Sequence, residues 1–191
     1  MTENSPSHEE LSEYLRCVIY DLYILAVSIE NLKKSKDFAL IEVFKTSGLL
    51  KLRAIHHFFY PPDKCRDSIK LKMFDCYTPK NPTDKALDSS VEKWLTMQSI
   101  HTYVVHLDKS RVTKKFEKDD TASGKKEGDP IPQPKFEQGN GAVIEASMKL
   151  MTQAYDFVDR IRCHPDFQGL NYWGQKYWNG FSSTLNRLTG N

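Results

Sequence analysis

The stretch SHEELSEYLRCVIYDLYILAVSIENLKK, residues 7–34, decides the fold class. Its apolar residues Leu11, Leu15, Val18, Leu22, Leu25, Ile29 and Leu32 alternate steps of four and three, which keeps one face of a helix on a core. Ser7 ahead of Glu9 and Glu10 supplies an N-cap and a negative first turn. Lys33, Lys34 and Lys36 stand where the helix dipole favours cations. The spacing predicts a first helix from about Ser7 to about Lys34.

Working outward, DFALIEVFKTSGLLKLRAIHHFFY (37–60) repeats the pattern with Phe38, Ile41, Phe44, Gly48, Leu52, Ile55 and Phe59 on one face. Leu40, Val43, Leu50 and Phe58 add apolar flanks, and a helix apolar over so much of its circumference is expected to be central. Gly48 inside it points to a close helix approach or a kink. Pro61-Pro62 ends it. Residues 65–77 read as a short helix and 78–85 as a turn-rich connection. A third helix is predicted from about Asp84 to Arg111, with Val91, Trp94, Met97, Ile100, Val104 and Leu107 at helical spacing. The stretch 112–139 is dense in Lys, Asp, Gly and Pro, and reads as a flexible, disordered surface loop. A fourth helix begins near Gly141, carries Ile144, Met148, Met151, Tyr155, Val158 and Ile161, and closes at His164-Pro165. An aromatic C-terminal tail follows. The expectation is an all-α, antiparallel bundle of about four long helices with a long crossover, forming a single domain over residues 1–191.

Composition narrows the function classes. The 191 residues carry 27 Lys+Arg against 25 Asp+Glu, a net charge of +2, which is far from the basic excess of a dedicated nucleic-acid binder. The four cysteines, Cys17, Cys65, Cys76 and Cys163, show no CxxC pair or regular spacing, and are expected to be reduced thiols. The start of the chain is polar and acidic, unlike a signal peptide. The longest apolar run, broken by Asp21, is too short for a membrane span. These features predict a soluble, cytoplasmic protein with no membrane association.

Four of the six histidines, His56, His57, His101 and His106, fall late in the second and third predicted helices. His101 and His106 are five residues apart and diverge by roughly 140° on a helix, so they do not form a chelating pair. No metal site or cofactor is assigned. Arg53 and His57, four apart, share a helix face. Histidine has a pKa suited to moving a proton at neutral pH, and arginine stabilises developing phosphoryl charge. That pairing is what a metal-free ribonuclease needs. As purely structural residues, the same side chains would cap helix ends or lie half-buried among aromatics.

The run KLRAIHHFFY (51–60), a spacer, Trp94 and SIHTYVVHLDKSR (99–111) together resemble a degenerate form of the HEPN signature. In that family an arginine, four intervening residues and a histidine carry RNA cleavage on a helical bundle that commonly dimerises. In this register His106 matches the family's histidine, while His101 stands where the family has arginine. With no arginine at 101, the resemblance implies a HEPN-like fold more than a HEPN-type nuclease, with a homodimer and RNA as a partner; Arg53 and Arg111 are the candidates to supply the missing cation.

In the tail, Tyr172, Trp173, Tyr177 and Trp178 lie beside Lys176. They are suited to stacking on bases, to lining a ligand groove, or to covering a core edge or interface. Two principal functions are therefore expected. The first is an RNA-associated or defence-related protein whose degenerate, metal-independent ribonuclease site comprises His106, Arg111 and Arg53. The second is a non-enzymatic module that binds a partner protein or small ligand, with His57, His101, Trp173 and Trp178 as its binding residues. A metal-dependent bundle enzyme is a third.

Overall fold

The fold is seen in a computed structural model that describes residues 6–60, 71–77 and 139–190. Among the described residues there are four α-helices: α1 (His8–Lys34), α2 (Phe38–Phe59), α3 (Asn140–Arg162) and α4 (Tyr172–Thr189). The architecture is an all-α bundle. The predicted helix over 84–111, with His101, His106 and Arg111, and nearly all of the 112–139 loop lie outside the described residues.

α1 forms as its sequence dictates. Ser7 and Glu10 make a reciprocal capping box, with the Ser7 side chain accepting from the Glu10 N–H and the Glu10 carboxylate accepting from the Ser7 N–H. All seven residues of its predicted apolar face are buried. The short connection 35–37 turns the chain back, and Asp37 caps α2 through the Leu40 N–H. α1 packs against α2, α3 and α4, and α2 also packs against α3. The central helix among the described residues is therefore α1. α2 buries Leu49, Leu52, Ile55, Phe58 and Phe59 but leaves Phe38, Leu40 and Val43 exposed near its start. Gly48 is not demanded by a close approach, since a Cβ there would meet Ile29 and Ser28 at the ordinary distances of 3.6 and 3.7 Å.

Of the 65–77 stretch, read as a short helix, residues 71–77 are described, and they hold a 3-10 turn, Leu71–Phe74. Phe74 is fully buried against Phe58 and Phe157 at ring separations of 6.0 and 5.9 Å. Tyr77 is held against the start of α1 by a hydrogen bond between its phenol oxygen and Nδ1 of His8.

α3 starts and stops where expected, but its buried stripe is turned by about one residue. Val143, Ser147, Leu150, Ala154, Phe157 and Ile161 face the interior, while Ile144, Met148 and Tyr155 flank it half-buried. Met151, Val158 and Ile161 are buried as expected. The segment read as an aromatic tail is largely helix α4. Asn171 caps it through the Gly174 N–H, and Gly190, with φ +81°, ends it in the left-handed conformation that glycine adopts without penalty. Its buried side is Gly174, Trp178, Phe181 and Leu185, again at steps of four and three.

Candidate functional site

Two regions of the described surface concentrate chemistry. One lies at the end of α2. Arg53 and His57 sit one turn apart and both are partly exposed, as their i,i+4 spacing requires. His56, one residue earlier than His57, points the other way and is buried. Its ring lies 5.2 Å from that of Tyr60 and 6.2 Å from that of His57. The Tyr60 hydroxyl accepts from the Gln153 amide of α3 at 3.1 Å, which ties this end of α2 to its neighbour.

Burial pushes the His57 imidazole below its ordinary pKa, and the Arg53 guanidinium pushes in the same direction. His57 is therefore neutral at neutral pH. A neutral imidazole beside a fixed cation is able to accept a proton from a substrate hydroxyl while the cation attracts a nearby anion. Of the four residues whose convergence would make a ribonuclease centre, Arg53 and His57 are brought together on α2; His106 and Arg111 lie outside the described residues.

The second region runs across the junction of α1 and α4. Tyr172 and Trp173 open α4 with 72% and 51% of their surface exposed. Their rings are edge-on at 5.3 Å. Trp173 then lies near-parallel to Tyr177 at 6.1 Å, and Tyr177 meets Tyr20 of α1 edge-on at 5.1 Å. Tyr23 packs under Tyr177 at 6.0 Å, close against Gly180. A Cβ at Gly180 would sit 2.7 Å from Cε2 of Tyr23, so the glycine is what allows the tyrosine to lie flat against α4.

Cations flank this strip. Lys176 lies over the Trp173 ring at 5.1 Å and Lys51 over Tyr20 at 5.4 Å. Lys51 also pairs with Asp21 at 2.6 Å, and Arg16 with Glu13 at 2.7 Å. α4 itself carries Lys176 and Arg187 and no acidic residue.

The two tail tryptophans part company. Trp178, 4% exposed, is inside the bundle, stacked on Tyr155 at 4.9 Å with the Arg162 guanidinium 5.3 Å from its ring centre. It covers the core and is not available to a ligand, so of the two only Trp173 offers a binding surface. Tyr20 is the strip residue that sequence reasoning missed. It faces away from the buried stripe of α1, and the only signal for it was a large aromatic ring on the polar side of an amphipathic helix.

Among the described residues, no group of three or more His, Cys, Asp or Glu side chains could hold a metal ion. Cys17, Cys76 and Cys163 are free and exposed. No helix among them is long and apolar enough to cross a membrane. Compared with family models, with curated proteins and with solved structures, the chain matches none.

Proposed function

We propose that this protein is a non-enzymatic interaction module that engages a partner protein through the aromatic strip of α1 and α4. The observation that carries the reading is the exposure of Tyr172 and Trp173 on a helix whose other side is anchored in the core by Trp178, Phe181 and Leu185. Large rings left in water at the surface of a rigid element are the composition of an interface centre, where aromatics are enriched and acidic residues depleted. Rigid aromatic anchors also lose little conformational entropy on binding. The test compares proteins retained by immobilised wild type with those retained by Trp173→Ala. A discrete set lost with the ring supports the reading, and identical sets refute it.

A second reading, RNA processing on a HEPN-like bundle, is favoured by the Arg53–His57 pair. His57 is held neutral and ready to accept a proton, with a cation one turn away. In this reading His106 and Arg111 complete the centre, and the chain acts as a homodimer. Purified protein should then cut RNA in the presence of EDTA, and Arg53→Ala or His106→Ala should abolish the cleavage. Intact RNA across structured and single-stranded substrates would remove this reading.

A further inference from the structure

We propose that the partner presents a proline-rich segment in the polyproline II conformation, laid along Tyr172, Trp173, Tyr177 and Tyr20. The inference rests on the interaction-module reading and names the chemistry of the ligand. Three features of the strip select it.

The first is area. Three exposed rings, Tyr172, Trp173 and Tyr20, leave roughly 350 Å² accessible, taking about 150–250 Å² for a whole aromatic side chain. This is within the size of a functional patch on a monomer. It is less than half of the roughly 800 Å² per partner of a stable protein–protein interface. A second copy would have to bury as much again of the charged rim formed by Lys51–Asp21, Arg16–Glu13 and Lys176, whereas a short linear segment covers the rings alone.

The second is charge. A polyanion would need a continuous positive track. Lys51 is neutralised by Asp21 and Arg16 by Glu13, which leaves Lys176 as the strip's cation without an ion pair among the described residues. Near-neutral surroundings favour an uncharged ligand over a phosphate backbone.

The third is ring geometry. Successive steps of 5.3, 6.1 and 5.1 Å alternate edge-on, near-parallel and edge-on contacts, so the rings form a ridged row instead of a flat sheet. A segment rising about 3.1 Å per residue would cover the row with about five residues. Pyrrolidine rings would seat between the aromatic ridges, as in the aromatic-lined grooves that recognise such segments. The indole N–H and tyrosine hydroxyls supply donors for the carbonyls that a polyproline II helix leaves without internal partners. An amphipathic helix would instead need a hydrophobic groove along its length, where this strip is a single row of rings.

The experiment titrates full-length protein with an oligoproline peptide of about ten residues, by calorimetry and by tryptophan fluorescence. A single-stranded oligouridylate is run in parallel, and the sedimentation of the unliganded chain is measured. Saturable oligoproline binding is expected, weakened about tenfold or more by Trp173→Ala and by Tyr172→Ala, the size expected for interface anchors. Asn186→Ala, on the far turn of α4, should leave it unchanged. Absence of oligoproline binding overturns the assignment, as does tighter Trp173-dependent binding of the oligonucleotide or a Trp173-dependent dimer. Retention of proteins that is lost in Trp173→Ala, without oligoproline binding, would sink the polyproline assignment and leave the module reading standing. Indifference of both to Trp173 would sink both.

Discussion

Replacing each of the two helix-α4 tryptophans by alanine should separate anchoring from display. Trp178 is almost fully enclosed, stacked on Tyr155 at 4.9 Å, 5.9 Å from Phe181 and beneath the Arg162 guanidinium. Trp178→Ala removes the ring from a packed interior and leaves a cavity, a change that costs about 3–5 kcal/mol in other cores. Loss of the cation–π contact adds up to about 1 kcal/mol, so about 4 kcal/mol is expected. For a chain of this length each kcal/mol lowers the melting midpoint by roughly 2–4 °C, giving a shift of about 8–16 °C. Trp173 is half in water, and its truncation forfeits the contact with Lys176 and the surface ring contacts with Tyr172 and Tyr177. Those losses, about 1–2 kcal/mol, are partly offset by the better helix propensity of alanine. Trp173→Ala should therefore cost about 1 kcal/mol, well below the loss at Trp178. Urea unfolding followed by far-ultraviolet circular dichroism measures both, with an unchanged slope required for the comparison. Similar midpoints for the two variants, or a loss below about 1 kcal/mol for Trp178→Ala, would refute the division of labour.

Two glycine substitutions should have opposite signs. Gly48→Ala, whose new methyl meets only ordinary contacts, should stabilise by up to about 1 kcal/mol in thermal unfolding. Gly180→Ala must displace Tyr23, and overpacking of about 1–3 kcal/mol should outweigh the same propensity gain. Glu30 is held at a pKa of about 2, chiefly by the Arg187 guanidinium and then by Lys34, against an ordinary 4.5. Its depressed value gives stabilisation that is full above about pH 4.5 and lost as the pH falls towards 2, so Arg187→Ala should flatten the acid limb of the pH–stability curve. The lowered pKa of His57 acts with the same sign, in a higher pH window. Because its folded pKa lies below the ordinary 6.5, the unfolded chain binds the proton first and stability declines as the pH drops below that value. An NMR titration of Arg53→Ala should move the His57 midpoint only partway back, since burial is the larger cause.

How much of this was legible in the sequence depended on which side chains carried the burial. α1 was readable to within a residue at each end because large aliphatic residues define its face and a capping box marks its start. α3 had readable ends and a face read only in part, with Met151, Val158 and Ile161 buried as their spacing predicts. Its interior is built partly from Ala146, Ser147 and Ala154, small residues that permit close packing but weigh little in an apolar pattern, so the eye follows Ile144, Met148 and Tyr155 on the flank. α4 was hidden by its own composition. Two glycines, three asparagine or glutamine residues and two β-branched threonines argue against a helix, yet Asn171 as cap, buried positions at 174, 178, 181 and 185, and Gly190 as terminator were all present in the text. Tertiary burial overrides weak propensity there. At the candidate site, the Arg53–His57 register was visible from spacing, whereas the meeting of Tyr20 with Tyr177 depends on packing between elements more than 150 residues apart and has no local signal.

The same helical arithmetic explains why α4 both holds and displays. Residues five apart are rotated by about 140°, so if Trp178 is fixed on the core side by Tyr155, Trp173 is driven to the opposite flank. Tyr177, four residues after Trp173, shares that flank and reaches across to α1. Gly174 and Gly180 set the depth, one close beneath Leu170 and the other beneath Tyr23. The exposed row is thus a consequence of how the buried row is seated, and a partner that reads it is reading a surface already ordered before contact. Preorganisation of this kind reduces the entropy lost on binding. A strip of only a few rings is then able to carry a specific interaction.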